Sequence, residues 1–211
     1  MRVNPKAVIF DYGNVLSQDQ PLAEQQTMAS MLDVSLSEFT DIYWRFRVEY
    51  DAGALEPGAY WNNVATAASR TLASVQISEL IEIDSRSWSY PAPLTPQWAR
   101  DLRAAGFRTA LLSNMPVPVR DYVVRCPWLP CFDVQTFSCD FGFCKPDPEI
   151  YWQCLNRLAI QPSEVLFIDD RESNIRAAEK IGLNSVIFTN PAEAALEIGR
   201  RFSLSVTGFT R

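Results

Sequence analysis

Histidine is absent from all 211 residues. That omission removes serine–histidine and cysteine–histidine nucleophile systems, and histidine-based metal sites with them. Lysine is scarce: only Lys6, Lys145 and Lys180 occur, and arginine supplies the rest of 19 basic residues set against 25 acidic ones. A net charge of -6 opposes a phosphate backbone, so non-specific nucleic-acid binding lacks its usual driving force, and an anionic small substrate must rely on local cations. No apolar run approaches the roughly 20 residues of a membrane helix. The opening residues Met1 to Lys6 run straight into a strand pattern rather than a signal peptide, so a cytoplasmic protein is expected. The five cysteines are odd in number and confined to the second half of the chain, which suits reduced thiols better than a disulfide framework. Cys126 with Cys131 and Cys139 with Cys144 form two C-x4-C pairs at the edge of zinc-site spacing; buried thiols are the preferred reading.

What is present is a 47% hydrophobic chain able to bury a core, as one large domain or one domain carrying an insertion. Ala7 to Phe10 is a short continuous apolar run, as a strand buried on both faces should be, and it stops at Asp11. The same grammar returns at Thr109 to Leu112, which stops at Ser113-Asn114, and at Val165 to Ile168, which stops at Asp169-Asp170. Ser185 to Phe188 reads as a fourth strand, and Phe132 to Phe137 as a fifth and more exposed one. Helical patterns lie between them at Pro96 to Ala105, Pro148 to Leu158 and Asn174 to Ile181, the first and last closed by Gly106 and Gly182. Such alternation builds an α/β fold, a Rossmann-like doubly wound parallel sheet that binds ligands beyond the carboxyl ends of its strands.

Residues 19–90 break the alternation and read as helices only: Leu22 to Leu32, a start at Ser37-x-x-Thr40 running towards Tyr50, Pro57 to Ser69, and Ile77 to Trp88. This is expected to be a small α-helical cap inserted into a core made of residues 1–18 and 91–211, with Pro91-Ala92-Pro93 marking the return.

Asp11 at a strand end can serve as a nucleophile that takes a phosphoryl group, although acids also end Rossmann-type strands for structural reasons. Asp169-Asp170 are adjacent acids that repel unless a cation is present, and a hard oxygen site suits magnesium. Acids are also favoured at a helix N-terminus, and the two readings are compatible. Lys145 is fixed between Cys144 and the turn Pro146-Asp147-Pro148, where an ammonium can balance carboxylates and hold a phosphate oxygen. Ser113-Asn114 offers a hydroxyl and neighbouring N–H groups to a phosphate.

With these motifs in order, the chain resembles the haloacid dehalogenase superfamily, in the branch with a small helical cap after the first strand. Phe10-Asp11-Tyr12-Gly13-Asn14-Val15-Leu16 resembles its first motif, Leu112-Ser113-Asn114 its second, Lys145-Pro146-Asp147-Pro148 its third, and Phe167 to Asn174 its fourth. The resemblance implies a phosphatase acting on a small phosphorylated metabolite with Mg2+. Asp11 attacks phosphorus; Asp11, the Gly13 carbonyl and Asp170 hold the metal, with Asp169 in support; Ser113, Asn114 and Lys145 hold the phosphoryl group.

One position departs from the phosphatase pattern. Gly13 stands where the usual motif has a second aspartate that protonates the leaving group, a function worth ~10²–10⁴-fold. Asp19 or Glu49 would be the substitutes. The Asp-x-Gly-Asn-Val form resembles sugar-phosphate phosphatases. Two alternatives follow from the same departure: a 2-haloacid dehalogenase, whose family also lacks that aspartate, and a phospho-ligand- or protein-binding relative without turnover. The cap residues Tyr43, Trp44, Arg47, Tyr50 and Trp61 could each face core, solvent or substrate, and the sequence sets no oligomeric state.

Overall fold

The run Ala7–Phe10 forms β1, and all four residues are fully buried because both faces of its sheet are covered. The computed structural model describes residues 5–92 and 95–202; the opening residues 1–4, Pro93 of the expected return segment and residues 203–211 of the expected core lie outside the described residues. Between β1 and β2 (Arg108–Ser113) the chain forms α1 (Leu22–Met31), α2 (Leu36–Arg45), α3 (Arg47–Asp51), α4 (Pro57–Ala67), α5 (Ser74–Ser87) and α6 (Thr95–Ala104). Then come α7 (Val117–Val123), β3 (Val134–Phe137), α8 (Ser138–Phe141), α9 (Pro148–Leu158), β4 (Val165–Asp169), α10 (Glu172–Lys180), β5 (Asn184–Ile187) and α11 (Pro191–Arg201). No helix of the described residues is long and apolar enough to cross a membrane.

The sheet is wholly parallel, in the order β3-β2-β1-β4-β5. Side chains alternate along β1: Val8 and Phe10 pack with Trp98, Val119 and Ile198 of α6, α7 and α11, while Ala7 and Ile9 pack with Ile150, Leu155 and Ala178 of α9 and α10. Helices on both faces explain why the strands are continuously apolar rather than alternating. The expectation that Phe132 to Phe137 is the more exposed strand is corrected. Val134 is buried on the α9 face and Phe137 in the cluster on the opposite face, Thr136 is buried as well, and the exposed edge residue is Ile187 of β5. The helix expected to run from Ser37 to Tyr50 is two: Ser35 caps α2 by accepting the Glu38 N–H, and Phe46 leaves helical geometry before α3 begins.

α1 to α5 share their own apolar cluster, including Met28, Phe39, Tyr60, Trp61 and Leu80. A buried polar centre lies beside it. Arg47 donates from Nε to Asp51 at 2.7 Å and from Nη1 to Asp84 at 3.2 Å, while Asp84 also accepts the Tyr43 hydroxyl at 2.7 Å. This centre orients α2 and α3, which form one wall of the site below.

The helical insertion is fastened to the sheet at the end of α3. Ser138 Oγ donates to the Asp51 carbonyl and accepts the Met115 N–H at 2.9 Å, so one hydroxyl ties the insertion to the ends of β2 and β3. Gly53 sits beside this contact with φ of 73°, and a Cβ there would stand 2.8 Å from the Cys139 carbonyl oxygen. Backbone conformation and close approach both require glycine. Gly53→Ala should therefore destabilise the protein by ~1–3 kcal/mol, read as a lower urea midpoint. An unchanged midpoint would show that this contact is not part of the folded state.

Candidate active site

The chain winds from β1 outward to β2 and β3, then crosses back to β4 and β5, so the winding direction reverses between β1 and β4. In open parallel sheets that reversal opens a crevice at the carboxyl ends of the strands. Asp11 follows β1, Ser113 ends β2 and Asp169 ends β4, so the topology brings all three to the same rim.

Lys145 joins them. It is buried: its Nζ donates to Asp169 Oδ2 at 2.7 Å and the Leu112 carbonyl at 2.9 Å and forms an ion pair with Asp11 Oδ1 at 2.6 Å. Its backbone is held as firmly: the Asn114 side chain accepts the Lys145 N–H at 2.7 Å and donates to the Lys145 carbonyl at 2.8 Å. Asn114, expected to bind substrate, thus has its side-chain amide engaged in placing Lys145. Ser113 is buried at the cavity wall, its hydroxyl only 3.4 Å from the Asn114 carbonyl, a weak bond that is easily exchanged.

The three acids differ in what already satisfies them. Asp169 is saturated: its oxygens accept from Lys145, from the Arg171 N–H at 2.8 Å and from Asn174 Nδ2 at 2.9 and 3.1 Å. Asp11 Oδ1 pairs with the Lys145 ammonium and accepts the Tyr12 N–H, and Asp170 Oδ2 accepts from Asn14 Nδ2 at 3.0 Å. Asp11 and Asp170 therefore each retain one oxygen without a hydrogen-bond partner among the described residues. One oxygen from each of Asp11, Asp169 and Asp170 lies within 4.8 Å of the others. That donor set fits a hard divalent cation such as magnesium, with Asp11 and Asp170 as ligands and Asp169 positioning Lys145 beside them. The two C-x4-C pairs build no comparable group among the described residues, and only Cys154 is fully buried; the other four thiols are half-buried.

Charge is unbalanced here: three carboxylates share one ammonium. Burial pushes Asp11 up to about 7 against the pull of Lys145, helped by the neighbouring Asp169 and Asp170. Burial also raises Asp170, partly offset by the Asn14 amide. For Lys145 burial acts to lower the pKa, but Asp11 and Asp169 outweigh it and keep the ammonium charged.

A cavity of about 480 Å3 opens over these groups, walled by the sheet ends on one side and by Trp44, Arg47, Val48 and Asp51 of the insertion on the other. Trp44 and Arg47, left open by the sequence, line it, whereas Tyr43, Tyr50 and Trp61 are buried in the helical insertion. Gly13 lies on the wall as expected. Asp19 and Glu49 do not line this cavity. Asn14 and Asn174 carry contacts that sequence reasoning gave no role. Asn14 takes a left-handed φ of 59°, which asparagine tolerates, and reaches Asp170; Asn174 sits five positions after Asp169, in the first turn of α10, and folds back on it.

A family model described as a haloacid dehalogenase-like hydrolase matches residues 5–182. The chain is similar to the sesquiterpene phosphatase astK of Aspergillus oryzae, 24% identical over 202 residues that cover 92% of this chain and 94% of that one. It is also similar to (S)-2-haloacid dehalogenase 1 of a Pseudomonas species, 28% identical over 86% of this chain and 83% of that one. A solved structure of the HAD family enzyme bt-2542 from Bacteroides thetaiotaomicron, in complex with magnesium and inorganic phosphate, superposes with a TM-score of 0.67. It is 18% identical and covers 87% of this chain and 94% of that one, which shows the shared fold. The first curated relatives match over shorter stretches at 32–34% identity, and the chain spans only 10–23% of their length.

Proposed function

The chain belongs to the haloacid dehalogenase-like hydrolases, and on that footing we propose that it is a magnesium-dependent phosphatase that hydrolyses small phosphate monoesters through an aspartyl-phosphate on Asp11. The observation that carries this reading is the pairing of Asp11 with Asp170. They are two partly desolvated carboxylates, each with one oxygen fixed by a protein donor and one without such a partner among the described residues. A second carboxylate beside the nucleophile is a liability unless a cation joins them. Magnesium held by Asp11, the Gly13 carbonyl and Asp170 would supply the charge that lets an anionic ester approach.

The protein groups then divide the work. Lys145 and the Tyr12 N–H fix the Asp11 carboxylate by Oδ1, and that carboxylate is the group that forms the bond to phosphorus. Lys145 acts on the transferring group as a nearby positive charge, because its ammonium is already tied to Asp169, the Leu112 carbonyl and Asp11. Ser113 is the hydroxyl able to exchange its weak bond for a phosphoryl oxygen. The leaving group departs as the P–O ester bond breaks, and water then cleaves the aspartyl-phosphate. The phosphatase relative aligns over nearly the whole of both chains, which supports phosphoryl chemistry.

The test is metal dependence. Release of phosphate from p-nitrophenyl phosphate should vanish in EDTA and return with magnesium but not with calcium, whose looser coordination shell spoils in-line geometry. Full turnover in chelator, together with halide release from a 2-haloacid, would replace this reading with dehalogenation.

A further inference from the structure

Most of the amide and charged side chains around the cavity are already engaged with other side or main chains. Asn14 donates to Asp170, Asn114 brackets Lys145, Asn174 donates to Asp169, and Arg47 serves Asp51 and Asp84. A site that reads a polyol needs unengaged donors and acceptors at the positions of the hydroxyls, because a buried hydroxyl left unpaired costs affinity. Among the described residues Arg171 and the hydroxyls of Ser113 and Ser173 are the exceptions on the wall. The Arg171 guanidinium lies 5.6 Å from the centre of the Trp44 ring, directly after Asp170 in the chain, and a fixed cation there suits phosphate rather than hydroxyls.

What the cavity offers beyond the carboxylates is apolar. Tyr12 turns its hydroxyl away to the Trp88 carbonyl at 2.6 Å, and Tyr12, Met115 and Val119, all nearly buried, line the cavity together with Trp88. Trp44 and Val48 complete it from the insertion, and they are 40% and 67% exposed, large apolar groups left against solvent beside the catalytic acids. Uncovered apolar area at a binding cleft is area for a ligand to cover.

We infer that the leaving group accepted here is an apolar organic group, alkyl, alkenyl or aryl without hydroxyls, in place of the sugar implied by the Asp-x-Gly-Asn-Val motif. The inference rests on the phosphatase reading and adds the substrate class to it.

Ethyl, butyl, hexyl and octyl phosphate and glucose 6-phosphate all release a primary alkoxide, so comparing them isolates recognition from leaving-group chemistry. With magnesium present, KM should fall about three- to fourfold for each methylene that reaches the wall, with little change in kcat, and glucose 6-phosphate should show the highest KM. Trp44→Ser should flatten that series. The inference is overturned if KM does not change with chain length or if glucose 6-phosphate has the lowest value. Thermal-shift titration of Asp11→Asn with octyl phosphate and with glucose 6-phosphate keeps the two claims apart. Binding in the expected order without hydrolysis of any ester by the wild type would sink the phosphatase reading alone. Hydrolysis without that order in either KM or binding would sink the inference alone.

Discussion

Asp11→Asn should reduce phosphate release by more than about 10⁴-fold while leaving the protein folded and, in metal-free buffer at neutral pH, melting no lower than the wild type. The amide preserves the shape that meets Lys145 and the Tyr12 N–H but cannot attack phosphorus, and it removes one of the two carboxylates that fit the metal. The stability half of the prediction follows from linkage. Asp11 is raised from its ordinary 3.8 to about 7 by burial, so the folded protein holds a proton there that the unfolded chain has lost. Without metal, the wild type should therefore lose stability as pH rises from about 4 to 7, and Asp11→Asn should lack that contribution. Melting temperatures of both proteins across this range in EDTA measure it. Near-wild-type phosphate release by Asp11→Asn would end the covalent mechanism. A melting temperature well below that of the wild type would show that the carboxylate is structural.

The second large effect concerns Gly13. If the missing aspartate limits turnover, the wild type should depend steeply on its leaving group, so that p-nitrophenyl phosphate far outruns alkyl phosphates, whose alkoxides leave poorly unprotonated. Gly13→Asp should then raise kcat for alkyl phosphates by ~10²-fold or more and barely change kcat for the nitrophenyl ester. The backbone permits the substitution: Gly13 lies outside the left-handed φ region, and a Cβ there would meet only Trp88 Cζ3 at 3.7 Å, an ordinary contact. The outcome that defeats this account is a flat leaving-group dependence in the wild type. Neither Asp19 nor Glu49 lines the cavity to produce it, but Asp51 does, and burial raises that carboxyl to about 6 despite its bond to Arg47. In that event Asp51→Asn should make the dependence steep.

The parts of this site that could be read from the sequence are those in which one residue does one thing at a strand end. Asp11, Ser113 and Asp170 follow short apolar runs, and such runs declare both the buried strand and the place where it stops. Lys145 was legible because lysine is so scarce and because a turn fixes it. The positioning amides were not legible. Asn14, Asn114 and Asn174 look like ordinary turn or helix-start residues, and their partners stand far away in the chain or only a turn away in it, which no spacing rule separates from capping. In the helical insertion, periodicity identified helices but not which aromatics face the cavity, since Tyr43 and Trp44 are neighbours that point to opposite fates. The helix α11 has its start signal in the sequence, since Asn190 caps it and Pro191 opens it, but an Asn-Pro pair directly after an apolar strand reads equally well as the end of that strand.

The central place of β1 in the sheet also sets when the active centre can exist. Ala7 pairs with Arg108 on one side and with Val165 on the other, so the strand that carries Asp11 is completed only by partners from distant parts of the chain. Such non-local pairings carry the largest loop-closure cost and govern folding speed, whereas the contacts among α1 to α5 close shorter stretches of chain. Asp11, Lys145 and Asp170 come together only when both pairings are made. A partly folded chain should therefore gain the helical insertion before Asp11 meets Lys145, and the proposed phosphate release should return on refolding with the closure of the whole sheet rather than with the gain of helix.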